Sequence, residues 1–133
     1  MKIILFAFSL LFLSIPTDLA TGDGYKVGDV ATDFSLPNVD GEMVSLADFE
    51  DAKGFIVIFT CNTCPYSVAY ENRIIALDKA YKSKGYPVIA INPNDPAAID
   101  GDELADMKVR ATKKGFSFPY LQDVGQQVYP QYG

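Results

Sequence analysis

The sequence contains no histidine and only two cysteines in 133 residues. Without histidine the chain lacks the commonest catalytic base and the commonest metal ligand, so we expect no metal site. Acidic residues outnumber basic ones, and the net charge is −6. Because nucleic acids and anionic membrane surfaces both favour basic stretches, this charge argues against either as a partner.

An apolar run long enough to cross a membrane is also missing. The apolar stretch near the N-terminus covers only residues 3–15, whereas a spanning helix needs about 20 residues. With Lys2 before it and Ala20 after it, the stretch is typical of a secretion signal. We predict a signal peptide over residues 1–20 and an exported domain over residues 21–133, in the bacterial periplasm. The membrane is a partner only if this segment stays uncleaved.

The two cysteines, Cys61 and Cys64, lie three residues apart, directly after the apolar run 55–59. A disulfide closing so short a loop would stabilise the fold very little, so the spacing favours reactivity over a structural staple. A helix that starts here would direct its unpaired N–H groups at the first sulfur, that of Cys61, and stabilise a thiolate there. We predict a redox-active Cys61–Cys64 disulfide with no other cofactor. Four neighbours are expected to shape the site: Thr60, Asn62, Thr63 and Pro65.

The pattern of apolar residues predicts an α/β fold. A hairpin is expected over 36–45, where Asp40-Gly41 supplies the turn. Strands and helices then alternate, which is typical of a parallel sheet with right-handed crossovers. The predicted strands are 55–59, 87–91 and 118–121, the predicted helices are 65–84 and 102–114, and a last helical turn lies within 126–132. We expect 87–91 to be the central strand, and 55–59 to be buried on both faces because it is wholly apolar.

Each helix carries a predicted face. In the first helix Tyr70, Ile74, Leu77 and Tyr81 share one side, so the tyrosines, with Tyr66, are interpreted as packing residues. In the second helix Asp106 precedes Arg110 by four residues, which predicts an ion pair.

Two segments near the predicted site lie between the second strand and the second helix. Loop 92–96 either lines a substrate groove or forms a rigid turn. A cluster of acids is interpreted as a solvated loop whose charges favour the start of the second helix. Its members are Asp95, Asp100, Asp102, Glu103 and Asp106.

These features together resemble thioredoxin-fold proteins of the exported, TlpA-like and AhpC/TSA (redoxin) branch. The resemblance rests on residues 27–34, 36–45, 55–64, 88–91 and 118–123. It implies that Cys61 attacks and Cys64 resolves, and Cys61 is then expected to be the more acidic thiol. This chain departs from the pattern: Thr60 replaces a frequent tryptophan, and Phe55 stands where thioredoxins bury an acid. Family members continue past residue 133 into a cis-proline segment and a ββα portion, so we expect a C-terminally incomplete, weakly stable chain.

The predicted function is thiol–disulfide exchange outside the cytoplasm, with protein thiols or disulfides and an upstream redox protein as partners. One alternative is a peroxiredoxin-like hydroperoxide reductase in which Cys64, followed by Pro65, reacts with peroxide. Against it, Val57 and Cys61 occupy the positions where peroxiredoxins have proline and threonine. A second alternative is a Cu(I)-binding chaperone that uses both thiolates. The sequence leaves the direction of electron flow open.

Overall fold

The structure, a computed structural model, describes residues 24–133, and this part of the chain opens with a β-hairpin. Strand β1 (Ser35–Pro37) runs antiparallel to β2 (Met43–Ser45). Gly41 takes a φ of 101°, a left-handed conformation that glycine adopts without steric cost. The hairpin prediction is confirmed. The predicted signal peptide lies outside the described residues, and no helix within 24–133 is long and apolar enough to cross a membrane.

Three parallel strands form the central sheet. They are β3 (Ile56–Phe59), β4 (Val88–Asn92) and β5 (Tyr120–Gln122), in the spatial order β3-β4-β5. The predicted order is confirmed, and the strand ends differ from the prediction by one or two residues. The third strand begins after Pro119, because proline has no N–H to donate to the ladder. The hairpin covers the outer edge of β5, where Asn38 pairs with Leu121.

The burial of the strands differs from what their amino-acid composition suggested. Every residue of β4 is buried, whereas every residue of β3 is half-buried. The prediction that the first strand is buried on both faces is therefore wrong. Within the described residues β3 has one strand neighbour, and an open hollow of about 470 Å³ lies beside it, with Ile58, Phe59 and Leu77 in its lining.

Two helices cover one face of the sheet. Helix α1 (Pro65–Tyr81) continues into a 3-10 turn (Lys82–Lys84), and α2 spans Leu104–Lys114. The core on this side combines Ile74 of α1 and Met107 of α2 with strand residues such as Ala90. The opposite face of the sheet packs against the hairpin and the segment before the short helix α3 (Tyr129–Tyr132). The predicted last helical turn is thus confirmed.

The face predicted for α1 is correct for Ile74 and Leu77, which pack in the core, but wrong for its tyrosines. Tyr66, Tyr70 and Tyr81 are exposed, and the buried positions of α1 are Glu71, Ile74 and Asp78. Two of the exposed rings have cationic partners instead: the Arg73 guanidinium lies 4.7 Å from the Tyr70 ring centroid, and the Lys84 ammonium lies 4.5 Å from that of Tyr81. Glu71 and Asp78 can be buried because each has hydrogen-bonding or ionic partners on neighbouring elements.

The ion pair predicted between Asp106 and Arg110 is also wrong. Arg110 bonds to the buried Glu71 on the facing helix, and Lys114 lies 2.9 Å from the same carboxylate. Burial raises the pKa of Glu71, but the hydrogen bonds from Arg110 and Lys114 more than offset it, so the net pKa is lowered. A buried carboxylate needs such partners more than the exposed Asp106 does.

Asp78, the other buried carboxylate of α1, lies at the end of the sheet opposite the cysteines. Its carboxylate accepts the backbone N–H of Val88 at 3.2 Å and the hydroxyl of Ser117 at 2.7 Å. Since Val88 is the first residue of β4, Asp78 ties α1 to the amino end of the central strand.

Candidate active site

The site lies where β3 ends and α1 begins, at the carboxyl edge of the sheet. The backbone N–H of Thr60 donates to the carbonyl of Ile91 at 2.9 Å, so the ladder to β4 extends one residue beyond the strand. The chain then leaves the sheet through Cys61 and re-enters regular structure at Cys64, the N-cap of α1. Pro65 is the first helical residue, where its missing N–H costs nothing.

Cys64 sits where the helix has unpaired donors. The backbone N–H of Ser67, then that of Tyr66, lowers the pKa of the Cys64 thiol, with smaller contributions from the Ser67 hydroxyl and the Cys61 thiol. The sequence had led us to expect the helix donors, and with them the more acidic thiol, at Cys61. The helix begins one position after Cys64, so its N-terminal donors reach the second sulfur of the motif.

Cys61 lies close enough to share these contacts. Both cysteines are free thiols and half-buried. The Cys61 thiol donates to the Ser67 hydroxyl, with 3.7 Å between Sγ and Oγ. The same hydroxyl contributes to the lowered pKa of Cys64, so Ser67 interacts with both thiols. The sequence prediction had not singled out Ser67, although its position three residues after an N-cap is where a helix turns back toward its start.

Replacing Ser67 by alanine tests this hydroxyl. Ser67→Ala keeps the backbone N–H but loses the side-chain donor, so the pKa of Cys64 is expected to rise toward the ordinary cysteine value of about 8.5. Thiolate then forms only at higher pH, and the midpoint of the iodoacetamide alkylation profile moves upward. The neighbouring Ala69→Ser serves as a surface control on the same helix. An unchanged midpoint in Ser67→Ala would contradict the contact.

The first residue between the cysteines, Asn62, points inward rather than toward a substrate. Asn62 is buried, and its amide donates to the carbonyl of Gly101 at 2.9 Å. Its side-chain oxygen accepts the hydroxyl of Tyr120 at 3.1 Å. Burial raises the pKa of Tyr120, which keeps this phenol protonated and able to donate. Of the predicted site residues, Thr60 and Thr63 line the groove beside the cysteines, and Pro65 is exposed at the helix start.

Asp102 belongs to the site, although we had predicted that it faces solvent. It was grouped with the solvated acids before α2, yet it is completely buried. Its carboxylate accepts the backbone N–H of Asn62 at 2.7 Å and the hydroxyl of Thr63 at 3.1 Å. Asp95, Asp100 and Asp106 are exposed, as predicted. An acid near a helix start has the same appearance in sequence whether it faces water or the neighbouring loop.

An open groove of about 390 Å³ runs past both sulfurs. Its lining includes Phe59, Pro93 and Ile99 beside the cysteines. Of the two interpretations of loop 92–96, the groove wall is the one that the structure supports, since Pro93 and Asn94 both line it. Across residues 24–133, no three side chains of the histidine, cysteine and acidic types cluster as metal ligands would.

Curated relatives match most of this chain. It is 31% identical to the thiol-disulfide oxidoreductase ResA of Halalkalibacterium halodurans, over 81% of this chain and 57% of that protein. It is 29% identical to peroxiredoxin Bcp of Escherichia coli K12, over 81% of this chain and 64% of that protein. The chain thus spans less than two thirds of the length of these relatives.

A solved structure also matches most of this chain. A hypothetical protein from Sinorhizobium meliloti 1021 superposes with a TM-score of 0.73 at 35% identity, covering 77% of this chain and 56% of the other. The α/β arrangement is the thioredoxin fold. The AhpC/TSA family matches residues 27–133, which include the hairpin, the whole sheet and both cysteines. The chain belongs to the AhpC/TSA family of thioredoxin-fold redoxins.

Proposed function

We propose that the protein is a thiol–disulfide oxidoreductase in which Cys64 attacks and Cys61 resolves. The observation that carries the assignment of roles is the position of Cys64 at the N-cap of α1, where helix N–H donors lower its pKa. The thiolate is the nucleophile in disulfide exchange, and a helix N-terminus favours it. This assignment reverses the roles that the family resemblance implied.

In the reductive direction the Cys64 thiolate attacks one sulfur of a substrate disulfide. The substrate S–S bond breaks, a Cys64–substrate mixed disulfide forms, and the departing thiolate takes a proton. Cys61 then loses its proton and attacks Cys64 Sγ, which releases the second substrate thiol and leaves the Cys61–Cys64 disulfide. Two electrons have passed to the substrate, and an upstream redox protein restores the dithiol. The oxidative direction is the reverse.

In the second step the Ser67 hydroxyl transfers the proton of Cys61. The sequence has no histidine, and Phe55 replaces a buried acid, so the Ser67 hydroxyl, which contacts the Cys61 thiol, is the group we assign to this transfer. A serine hydroxyl both accepts and donates, so Ser67 can pass the Cys61 proton toward the departing sulfur.

The groove favours a protein disulfide as substrate. It is open, it contains both sulfurs, and the Phe59 and Ile99 side chains give it apolar walls. A peptide segment beside a disulfide can lie along such a surface while its sulfur meets Cys64. Action outside the cytoplasm, where protein disulfides persist, agrees with the apolar stretch at the N-terminus.

Trapping of reaction intermediates tests the roles of the two cysteines. In Cys61→Ser the first attack proceeds but resolution fails, so mixed disulfides through Cys64 are expected to accumulate with protein substrates. Non-reducing gels and mass spectrometry of the cross-linked peptides identify the sulfur involved. The reciprocal Cys64→Ser variant is the control, and it should trap little. Predominant trapping through Cys61 would restore the order implied by the resemblance.

A second candidate, peroxide reduction, is favoured by the same N-cap position and by the relationship to peroxiredoxin Bcp. The Cys64 thiolate would attack the O–O bond, releasing an alcohol or water and forming a sulfenic acid. Cys61 would then displace water to form the disulfide. The threonine hydroxyl expected to orient peroxide is replaced by the thiol of Cys61. Stopped-flow consumption of hydrogen peroxide by the reduced protein decides between the two activities.

A further inference from the structure

Asp102 is a fully buried carboxylate that bonds to the active-site loop. Oδ1 accepts the backbone N–H of Asn62, and Oδ2 accepts both the hydroxyl of Thr63 and the side-chain amide of Asn94, the last at 2.6 Å. Its main-chain carbonyl accepts the amide of Gln122 on β5 at 2.8 Å. Several N–H and O–H donors thus compensate a charge that would otherwise be costly to bury.

These bonds join three segments that are far apart in the sequence. Asn62 and Thr63 separate the two cysteines, Asn94 belongs to the groove wall, and Gln122 ends β5. Asp102 therefore pins both residues between Cys61 and Cys64 to the rigid part of the fold.

We propose that Asp102 is the positioning residue that fixes the separation of Cys61 and Cys64, and so sets the stability of the disulfide between them. A disulfide needs its sulfurs about 2.05 Å apart with a restricted torsion angle. The backbone of the two intervening residues decides whether the thiols can reach that geometry. When Asp102 holds this backbone, less conformational freedom is lost on closing the ring. The inference rests on the proposed dithiol–disulfide function of the pair.

The experiment is a redox titration of the full chain in glutathione buffers. Asp102→Ala removes all three side-chain bonds, and we expect the equilibrium constant for forming the Cys61–Cys64 disulfide to fall about tenfold. That change is a rise of about 30 mV in reduction potential for a two-electron couple. Asp102→Asn should shift it less, because the amide oxygen can still accept from Asn62 and the amide N–H can donate to Thr63.

Asp78→Ala is the matched control. Asp78 is a carboxylate buried to the same degree, and it also accepts one backbone N–H and one hydroxyl, but at the amino end of the sheet. Its removal should lower stability without moving the potential of the cysteine pair. An equal shift in both variants, or none in Asp102→Ala, would overturn the proposal. If Asp102→Ala fails to fold, Thr63→Val removes one bond from an exposed residue and should shift the potential in the same direction, and an unchanged potential there would also refute it.

Wild-type measurements separate the two proposals. If the wild-type pair oxidises reversibly and responds to Asp102 but does not reduce insulin disulfides, the proposed function fails and the role of Asp102 stands. If insulin is reduced and the Asp102 variants keep the wild-type potential, the role of Asp102 fails alone.

Discussion

Cys64→Ser is expected to lower the rate of protein disulfide reduction by at least about 10³-fold, as loss of an attacking nucleophile does. Serine is among the preferred N-cap residues, so a serine hydroxyl at this position is compatible with the start of α1 and the fold should be kept. The loss is therefore chemical. Insulin turbidity or a fluorescent disulfide peptide measures it, and circular dichroism verifies the fold.

Two further observations sharpen this result. Cys61→Ser should retain a single stoichiometric attack but no turnover, since only resolution is lost. The wild-type attack rate should fall as the pH drops through the lowered pKa of Cys64 and stay constant above it, because the thiolate fraction controls the rate. If the Cys64→Ser variant kept more than a tenth of wild-type activity, the attacking nucleophile would have to be Cys61.

Ile91→Ala is expected to lower the free energy of unfolding by about 2–5 kcal/mol. Ile91 is fully buried in β4, where its backbone pairs with Phe59 on one side and Leu121 on the other. Removing three carbons there leaves a cavity against the core that includes Leu36 and Val128. Small domains are stable by only about 5–15 kcal/mol, so the loss is a large fraction of the total.

Urea unfolding followed by circular dichroism measures the change. Ile91→Val should cost only about 0.5–1.5 kcal/mol, because a single methyl group is removed. Val109→Ala on α2 is the surface control: this valine is 66% exposed, and its change should stay within about 0.5 kcal/mol. Equal effects at Ile91 and Val109 would contradict the placement of β4 in the core.

Much of the fold could be predicted because its signals are local. The hairpin follows from Asp40-Gly41, and the alternation of apolar strands with longer helical segments predicts the parallel sheet and its order. The C-x-x-C motif follows directly after the apolar run 55–59, which places both cysteines at the carboxyl end of a strand. Each of these predictions depends on neighbours within a few residues of the chain.

The errors occurred where partners come from distant segments. An apolar composition could not reveal that β3 is half-buried, because burial depends on how many strands and helices lie beside it. The position of Arg110 four residues after Asp106 suggested a local pair, but the buried Glu71 of another helix bonds to it instead. Local spacing is a weak predictor when a buried charge competes for the same partner.

By itself the sequence determined that this is an α/β redoxin domain with a pair of cysteines at a strand–helix junction. The start of the helix at residue 65 was predicted correctly, but only the structure shows that its first N–H groups reach Cys64 rather than Cys61. The tertiary structure also decided that Asp102 faces the active-site loop rather than water. The second outcome depends on the relative placement of segments 40 residues apart, which hydrogen bonds and packing determine only in the folded state.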